Sequence, residues 1–196
     1  MKNRCEWCQD TIPEYVRYHD EEWGVPVTDD KTQFEFLVLE SAQAGLSWST
    51  ILKKREGYRH AFAGFDVNKV ARFDEGDVRD LITNPGIIRN EMKIRSAINN
   101  ARRFMEIQES HGSFCAYIWS FVDGQPVINK WQSIDELPAS TDISDNLAHD
   151  LKQHGFKFVG STTIYAHMQA TGLVNDHVVS CFRHREVENL CQNFSL

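Results

Sequence analysis

Apolar positions along this chain recur mostly at helical spacing, and sustained two-residue alternation is absent. Residues 34–46 (FEFLVLESAQAGL) are apolar on nearly every side, which predicts a buried helix. Residues 87–109 place Ile94, Ala97, Ile98, Ala101, Phe104 and Met105 on one face, with Arg95, Asn99, Arg102 and Arg103 opposite. Ser144 reads as the N-cap of a helix running to about His154, stopped by Gly155. A further helix is expected over 162–171, ended by Gly172. Between these two lies GFKFVG (155–160), an apolar turn bracketed by glycines, and DGQPVINKW (123–131) reads as a short hairpin. The pattern predicts an all-α fold, with no internal repeat and no low-complexity tract.

Composition narrows this to one ordinary domain. The 196 residues are 41% hydrophobic and 25% charged, enough to bury a sizeable core. The opening MKNRCEWCQD has no apolar signal core and no apolar run reaches membrane-span length, so a soluble, cytoplasmic protein is expected. Five cysteines, an odd number, argue against a disulfide framework. Four of them (Cys5, Cys8, Cys181 and Cys191) lie close to one end or the other, as a clip joining the termini would require. The net charge of −7 argues weakly against nucleic-acid binding, although a local basic face can serve.

The candidate chemistry begins with that clip. In NDHVVSC (175–181), His177 and Cys181 are four apart, which on a helix puts both on one face. A structural zinc site wants four ligands, and Cys5 and Cys8 form the C-x2-C half-site that generic spacing would choose. His19 is a further candidate, and unliganded thiols are the competing reading. Zinc holding both ends would add on the order of 10 kcal/mol of apparent stability, because it closes most of the chain into one loop.

Glu40 follows the apolar run FEFLVL, where a carboxylate is desolvated and its pKa rises unless a cation answers it. It reads either as an acid awaiting a cationic ligand or as a core glutamate paired with an arginine. Tyr15, Tyr18, Trp23 and Trp48 are near it in sequence and could sandwich a planar heterocycle, or could simply pack the core. KKR (53–55), the arginines of 89–103, Lys152 and Lys157 could contact phosphates or form a solvated face.

The segments YHDEEWGVP (18–26), LESAQAGLSW (39–48), LKKRE (52–56), GIIRN (86–90), WSFV (119–122), GFKFVG (155–160) and GLVNDHVV (172–179) occur in that order. Together they resemble the 3-methyladenine DNA glycosylase I family, from about Cys5 to Cys181. The resemblance implies a helix-hairpin-helix glycosylase fold over 1–181, with a tail at 182–196 outside it. It implies a structural zinc ion on Cys5, His19, His177 and Cys181, so that His19 replaces Cys8 in the ligand set. It implies a base pocket of Glu40, Tyr15, Tyr18, Trp23 and Trp48, with Glu40 the catalytic group. Gly155, Phe156, Lys157 and Gly160 would grip the DNA backbone, and Gly45 and Leu46 would fill the gap left by an extruded base.

The activity so implied is hydrolytic excision of 3-methyladenine from alkylated double-stranded DNA. No lysine near the pocket motifs would form a Schiff base, so lyase activity is not expected. Asn175 stands near the place where related glycosylases carry a catalytic Asp, with Asp176 beside it. A monomer without obligate protein partners is expected. The alternative is a zinc-clipped nucleic-acid-binding module without catalysis, in which a buried Glu40 has no use.

Overall fold

The computed structural model describes residues 2–9, 11–192 and 194. Among them are ten α-helices and one two-stranded sheet. The helices are α1 (Pro13–Glu21), α2 (Asp30–Gln43), α3 (Trp48–Ala61), α4 (Val67–Val70), α5 (Glu75–Thr83), α6 (Glu91–His111), α7 (Phe114–Ser120), α8 (Asp142–Gln153), α9 (Ser161–Ala170) and α10 (Phe182–Gln192). Among the described residues no helix is long and apolar enough to cross a membrane.

Helix α2 is the axis of the fold. Every side chain from Gln33 to Ala42 is buried, because two apolar clusters flank the helix. The larger takes Phe34, Leu37, Val38 and Leu39 against Ile94, Ala97, Ile98, Ala101 and Phe104 of α6. The smaller takes Phe36 with Tyr18, Trp23, Leu52, Cys5 and Cys181. A helix wetted on no side needs no polar stripe, which is why its sequence is apolar all round. Asp29 caps its start by accepting from Thr32 N at 2.8 Å. Its end is held by Lys93 of α6, whose Nζ donates to the carbonyl oxygens of Ala42 and Ala44 at 2.8 and 2.7 Å.

Four expectations are corrected. Helix α6 starts at Glu91, because Asn90 accepts from Lys93 N and caps it there. Ile107 is its last buried anchor, and Met105 is only half-buried. The N-cap of α8 is Thr141; Ser144 is its capping-box partner, three residues on, and donates back through its hydroxyl to Thr141. Segment 123–131 makes no hairpin with itself. Instead β1 (Val127–Ile128) pairs in parallel with β2 (Val174–Asn175), so a distant segment supplies the second strand.

Gly172 ends α9 at φ +72, and a Cβ there would stand 2.3 Å from the carbonyl carbon of Val25. Both the positive φ and the contact require glycine. Gly172→Ala should therefore lower stability by about 2–5 kcal/mol. For a chain of this size that is a fall of roughly 5–15 °C in Tm by calorimetry.

Candidate active site and metal centre

Helix α1 presents Tyr15 and Tyr18, and the turn after it supplies Trp23. The last turn of α2 brings Glu40 and Gln43, and Trp48 opens α3 after Ser47 caps it. These converge on a cavity of about 230 Å³. That is below the roughly 300–1,000 Å³ of sites for drug-sized ligands, and suits one flat ring system. All five pocket residues read from the sequence line it. Trp7, Gln43, Ile134, Leu137 and Gln169 line it as well. Nothing marked Trp7 beforehand except its place beside the cysteines. Ile134, Leu137 and Gln169 arrive from segments far away in the chain.

Glu40 is 4% exposed, and among the described residues it has neither an ion pair nor a hydrogen-bond partner for its carboxylate. Desolvation raises its pKa to about 8. The core-glutamate alternative belongs to Glu35, which accepts from Arg55 Nε at 2.7 Å and Arg59 Nη2 at 3.0 Å. Around Glu40, Tyr18 and Trp48 lie 5.4 Å apart and Trp7 and Trp23 4.9 Å, centroid to centroid. Burial, and secondarily Glu40, holds Tyr18 well above the usual phenol range, so it stays a neutral O–H donor. The indole N–H of Trp48 is buried with no acceptor among the described residues. An aromatic-lined cavity with a carboxyl group that no cation answers and a neutral tyrosine O–H suits a planar, cationic, polar-edged guest.

Behind the cavity, the donor atoms of Cys5, His19, His177 and Cys181 lie within 4.8 Å of one another, and all four residues are buried. Cys5 Sγ is 3.6 Å from His177 Nδ1, and Cys181 Sγ is 3.6 Å from the same atom and 3.5 Å from His19 Nε2. A tetrahedron with Zn–S of about 2.3 Å and Zn–N of about 2.0–2.1 Å has S···N edges of roughly 3.6 Å. The outer nitrogens are anchored: His19 Nδ1 meets Asp20 Oδ1 at 2.8 Å, and His177 Nε2 meets the Trp23 carbonyl at 2.9 Å. Arg4 grips Asp20 through two hydrogen bonds, holding its pKa at about 2. Such outer partners fix the tautomer of a ligating imidazole. Without a cation the two thiols share a proton: Cys5 is pushed up by its bond to Cys181, and Cys181 down by its bond to Cys5. A dication would allow both to be thiolates. Cys8 lies outside the cluster, its thiol donating to the Cys5 carbonyl at 3.3 Å. The C-x2-C half-site expected from spacing alone is thus broken, and His19 takes the place of Cys8.

The GFKFVG turn joins α8 to α9 and is pinned to α6. Asn100 accepts from Lys157 N at 2.8 Å and donates to Lys157 O at 2.9 Å, while Asn99 donates to Gly155 O at 2.9 Å. Phe156 and Val159 are buried beneath it, and Lys157 is exposed. Among the described residues no side chain caps α9 at Gly160, which leaves its first N–H groups without a side-chain acceptor. Ser41, beside Glu40, donates to Phe158 O. Gly45, at φ +78, and Leu46, 39% exposed, form the turn at the end of α2. Several expected basic groups are already engaged. Arg55 pairs with Glu22 and Glu35, Arg95 with Glu75 and Glu91, and Arg103 with Glu106. Asn175 spends its side chain on main-chain groups, donating to His184 O and accepting from His177 N.

The family model of methyladenine glycosylase matches residues 7–184. The chain belongs to the methyladenine glycosylase family. It is 51% identical over 178 residues to DNA-3-methyladenine glycosylase 1 of Escherichia coli (strain K12), covering 91% of this chain and 95% of that protein. A crystal structure of 3-methyladenine DNA glycosylase I matches it with a TM-score of 0.89 at 52% identity, over 92% of this chain and 98% of the other. A structure of a variant 3-methyladenine DNA glycosylase I in complex with 3-methyladenine matches with a TM-score of 0.89 at 38% identity, over 92% and 96% of the two chains. Membership agrees with the family resemblance carried by the seven sequence segments.

Glu40 leaves a thermodynamic trace. Its pKa is raised from 4.5 to about 8 in the folded chain. Between these values the unfolded chain has lost the proton and the folded chain keeps it, so stability falls as pH rises through that window. Glu40→Gln should gain on the wild type by up to a few kcal/mol from about pH 5 to about pH 8.5. Denaturant melts at the two pH values measure this, and a pH-independent difference would refute it.

Proposed function

We propose that this protein is a monofunctional DNA-3-methyladenine glycosylase, which extrudes the damaged base from alkylated double-stranded DNA and hydrolyses its N-glycosidic bond. The observation that carries the reading is Glu40, an unpaired carboxylate inside an aromatic cavity. The methylated base is a cation while attached to the sugar, and normal adenine is neutral. A cation answers the carboxylate in a low-dielectric site, and a neutral base leaves it uncompensated. Tyr15, Tyr18, Trp23 and Trp48 then stack on and edge the ring, while Glu40 is the catalytic group that holds the cationic base in place until cleavage passes the charge to the sugar and the base departs neutral. Among the described residues no lysine lines the cavity, which supports hydrolysis by water without a Schiff-base step.

The duplex is gripped through the turn of Gly155, Phe156, Lys157 and Gly160, read as the hairpin of a helix-hairpin-helix motif. The uncapped start of α9 supports this, since free main-chain N–H groups at a helix N-terminus favour phosphate. Gly45 and Leu46 occupy the gap left by the extruded nucleotide, supported by the exposure of Leu46. Cys5, His19, His177 and Cys181 hold one zinc ion, which with four protein ligands is structural and ties both chain ends beneath the cavity. The protein acts as a monomer in the cytoplasm.

The direct test is release of free 3-methyladenine from DNA treated with a methylating agent. Wild type should release it, and Glu40→Gln should lower kcat/KM about a hundredfold through loss of a buried charge partner. The wild-type kcat/KM should rise with pH to about 8, where the empty cavity's Glu40 gives up its proton. If folded, metal-replete wild type releases nothing, the non-catalytic DNA-binding module becomes the better account.

For the metal, elemental analysis should find one zinc per chain in wild type and in Cys8→Ser, and none in Cys181→Ser. Chelation should lower Tm by more than about 10 °C, in keeping with a folding term on the order of 10 kcal/mol. Loss of zinc from Cys8→Ser would instead restore the C-x2-C ligand set.

A further inference from the structure

Asp176 is 1% exposed. Among the described residues it accepts four side-chain hydrogen bonds, all from uncharged donors. Asn129 Nδ2 and Trp131 Nε1 each reach Oδ1 at 2.7 Å. Tyr165 Oη and Gln169 Nε2 reach Oδ2 at 2.5 and 2.7 Å. A carboxylate has about four lone-pair positions, so none is left to receive a proton from a water nucleophile. Asp176 is therefore a poor candidate for a general base, despite its place in the sequence.

The same saturation fixes Gln169. Its amide nitrogen must face the carboxylate, because the reversed amide would set oxygen against oxygen. Gln169 also lines the cavity, and among the described residues its Oε1 has no partner. Gln43 repeats the pattern on the other side: its Nε2 donates to Leu46 O at 3.3 Å, which leaves its Oε1 as the unused atom. Gln169 and Gln43 thus each offer an amide oxygen, two side-chain groups whose available function is to accept.

We propose that Asp176 is a positioning residue that locks the Gln169 amide so that only its carbonyl oxygen is offered to the cavity. That oxygen accepts a hydrogen bond from an exocyclic amine or ring N–H of the bound base, which makes Gln169 a specificity-determining residue. The inference rests on the reading of the cavity as a base pocket and adds the hydrogen-bond polarity of one wall. It favours purines that present N–H groups to that wall over those that present a carbonyl.

The test moves the carboxylate from one partner to the other. In Asp176→Asn alone, the new amide can keep its oxygen toward Asn129 and Trp131 and turn its nitrogen toward Tyr165 and Gln169. Gln169 must then flip and offer N–H groups to the cavity. In Gln169→Glu alone, two carboxylates face each other across one hydrogen-bond length. In the double variant, the amide nitrogen introduced by Asp176→Asn donates to the carboxylate introduced by Gln169→Glu. The second oxygen of that carboxylate again accepts from the guest.

The readout is the Kd of free 3-methyladenine, followed through the fluorescence of the tryptophans around the cavity. It is independent of catalysis. Each single variant should weaken binding at least tenfold, and the double variant should return to within about threefold of wild type. Gln169→Met, which removes both hydrogen-bonding functions with little change in volume, should also weaken binding about tenfold and covers the case in which a charge-altering single variant fails to fold. A double variant no better than the product of the singles, an unaffected Gln169→Met, or a wild type that does not bind the free base would each overturn the proposal. A wild type that binds the base and follows this pattern but releases none from DNA would keep the proposal and sink the glycosylase reading instead.

Discussion

Burying a carboxylate without a counter-charge is among the most unfavourable things a fold can do, and here it is placed at the end of the most buried helix. Glu40 is tolerated because it can hold a proton while the cavity is empty. Everything around it maintains that state. Arg55 and Arg59 of the neighbouring helix α3 are spent on Glu35. The tyrosines beside it are uncharged, and tryptophan rings, aliphatic side chains and two neutral amides complete the walls. A proton relieves the destabilisation in the empty cavity, and a guest carrying the opposite charge would relieve it in the filled one.

The cavity and the metal cluster form one structure. Trp23 lines the cavity, its carbonyl accepts from His177, and its ring lies 4.5 Å from the His177 ring. Trp7 lines the same cavity and packs on His19, 5.1 Å away. Tyr18 and His19 are consecutive on α1, one turned to each site. A metal held between Cys5 and Cys181 would therefore do more than staple the termini. It would set the wall against which a base would stack.

What could be read in the sequence followed from local physics. The helix over α2 was legible because total burial leaves an unmistakable apolar run, and Glu40 stood out within it. The face of α6 and the turn at Gly155 were legible from spacing and glycine. The capping box of Thr141 and Ser144 was misplaced by three residues because either hydroxyl can cap; only the backbone geometry tells them apart. The β1–β2 pairing was invisible, since its partners are contributed from opposite ends of a long connection. The choice between Cys8 and His19 also could not be made from spacing, because ligand geometry depends on where α1 docks; there the family resemblance supplied His19. Gln169 and the donors to Asp176 carried no signal at all, being ordinary polar residues whose meaning is purely three-dimensional.

Helix α6 contacts both segments that would meet DNA. Lys93 holds the turn of Gly45 and Leu46 from one side, and Asn99 and Asn100 hold the GFKFVG turn from the other. The two attachment points are seven residues apart at most, about two turns or roughly 10.5 Å of rigid rod. This makes α6 a ruler: it fixes the spacing between the two turns before any nucleic acid arrives. Inserting a single residue between Lys93 and Asn99 would rotate one attachment about 100° against the other, so the length of this stretch is as constrained as the buried side chains of Ile94, Ala97 and Ile98 within it.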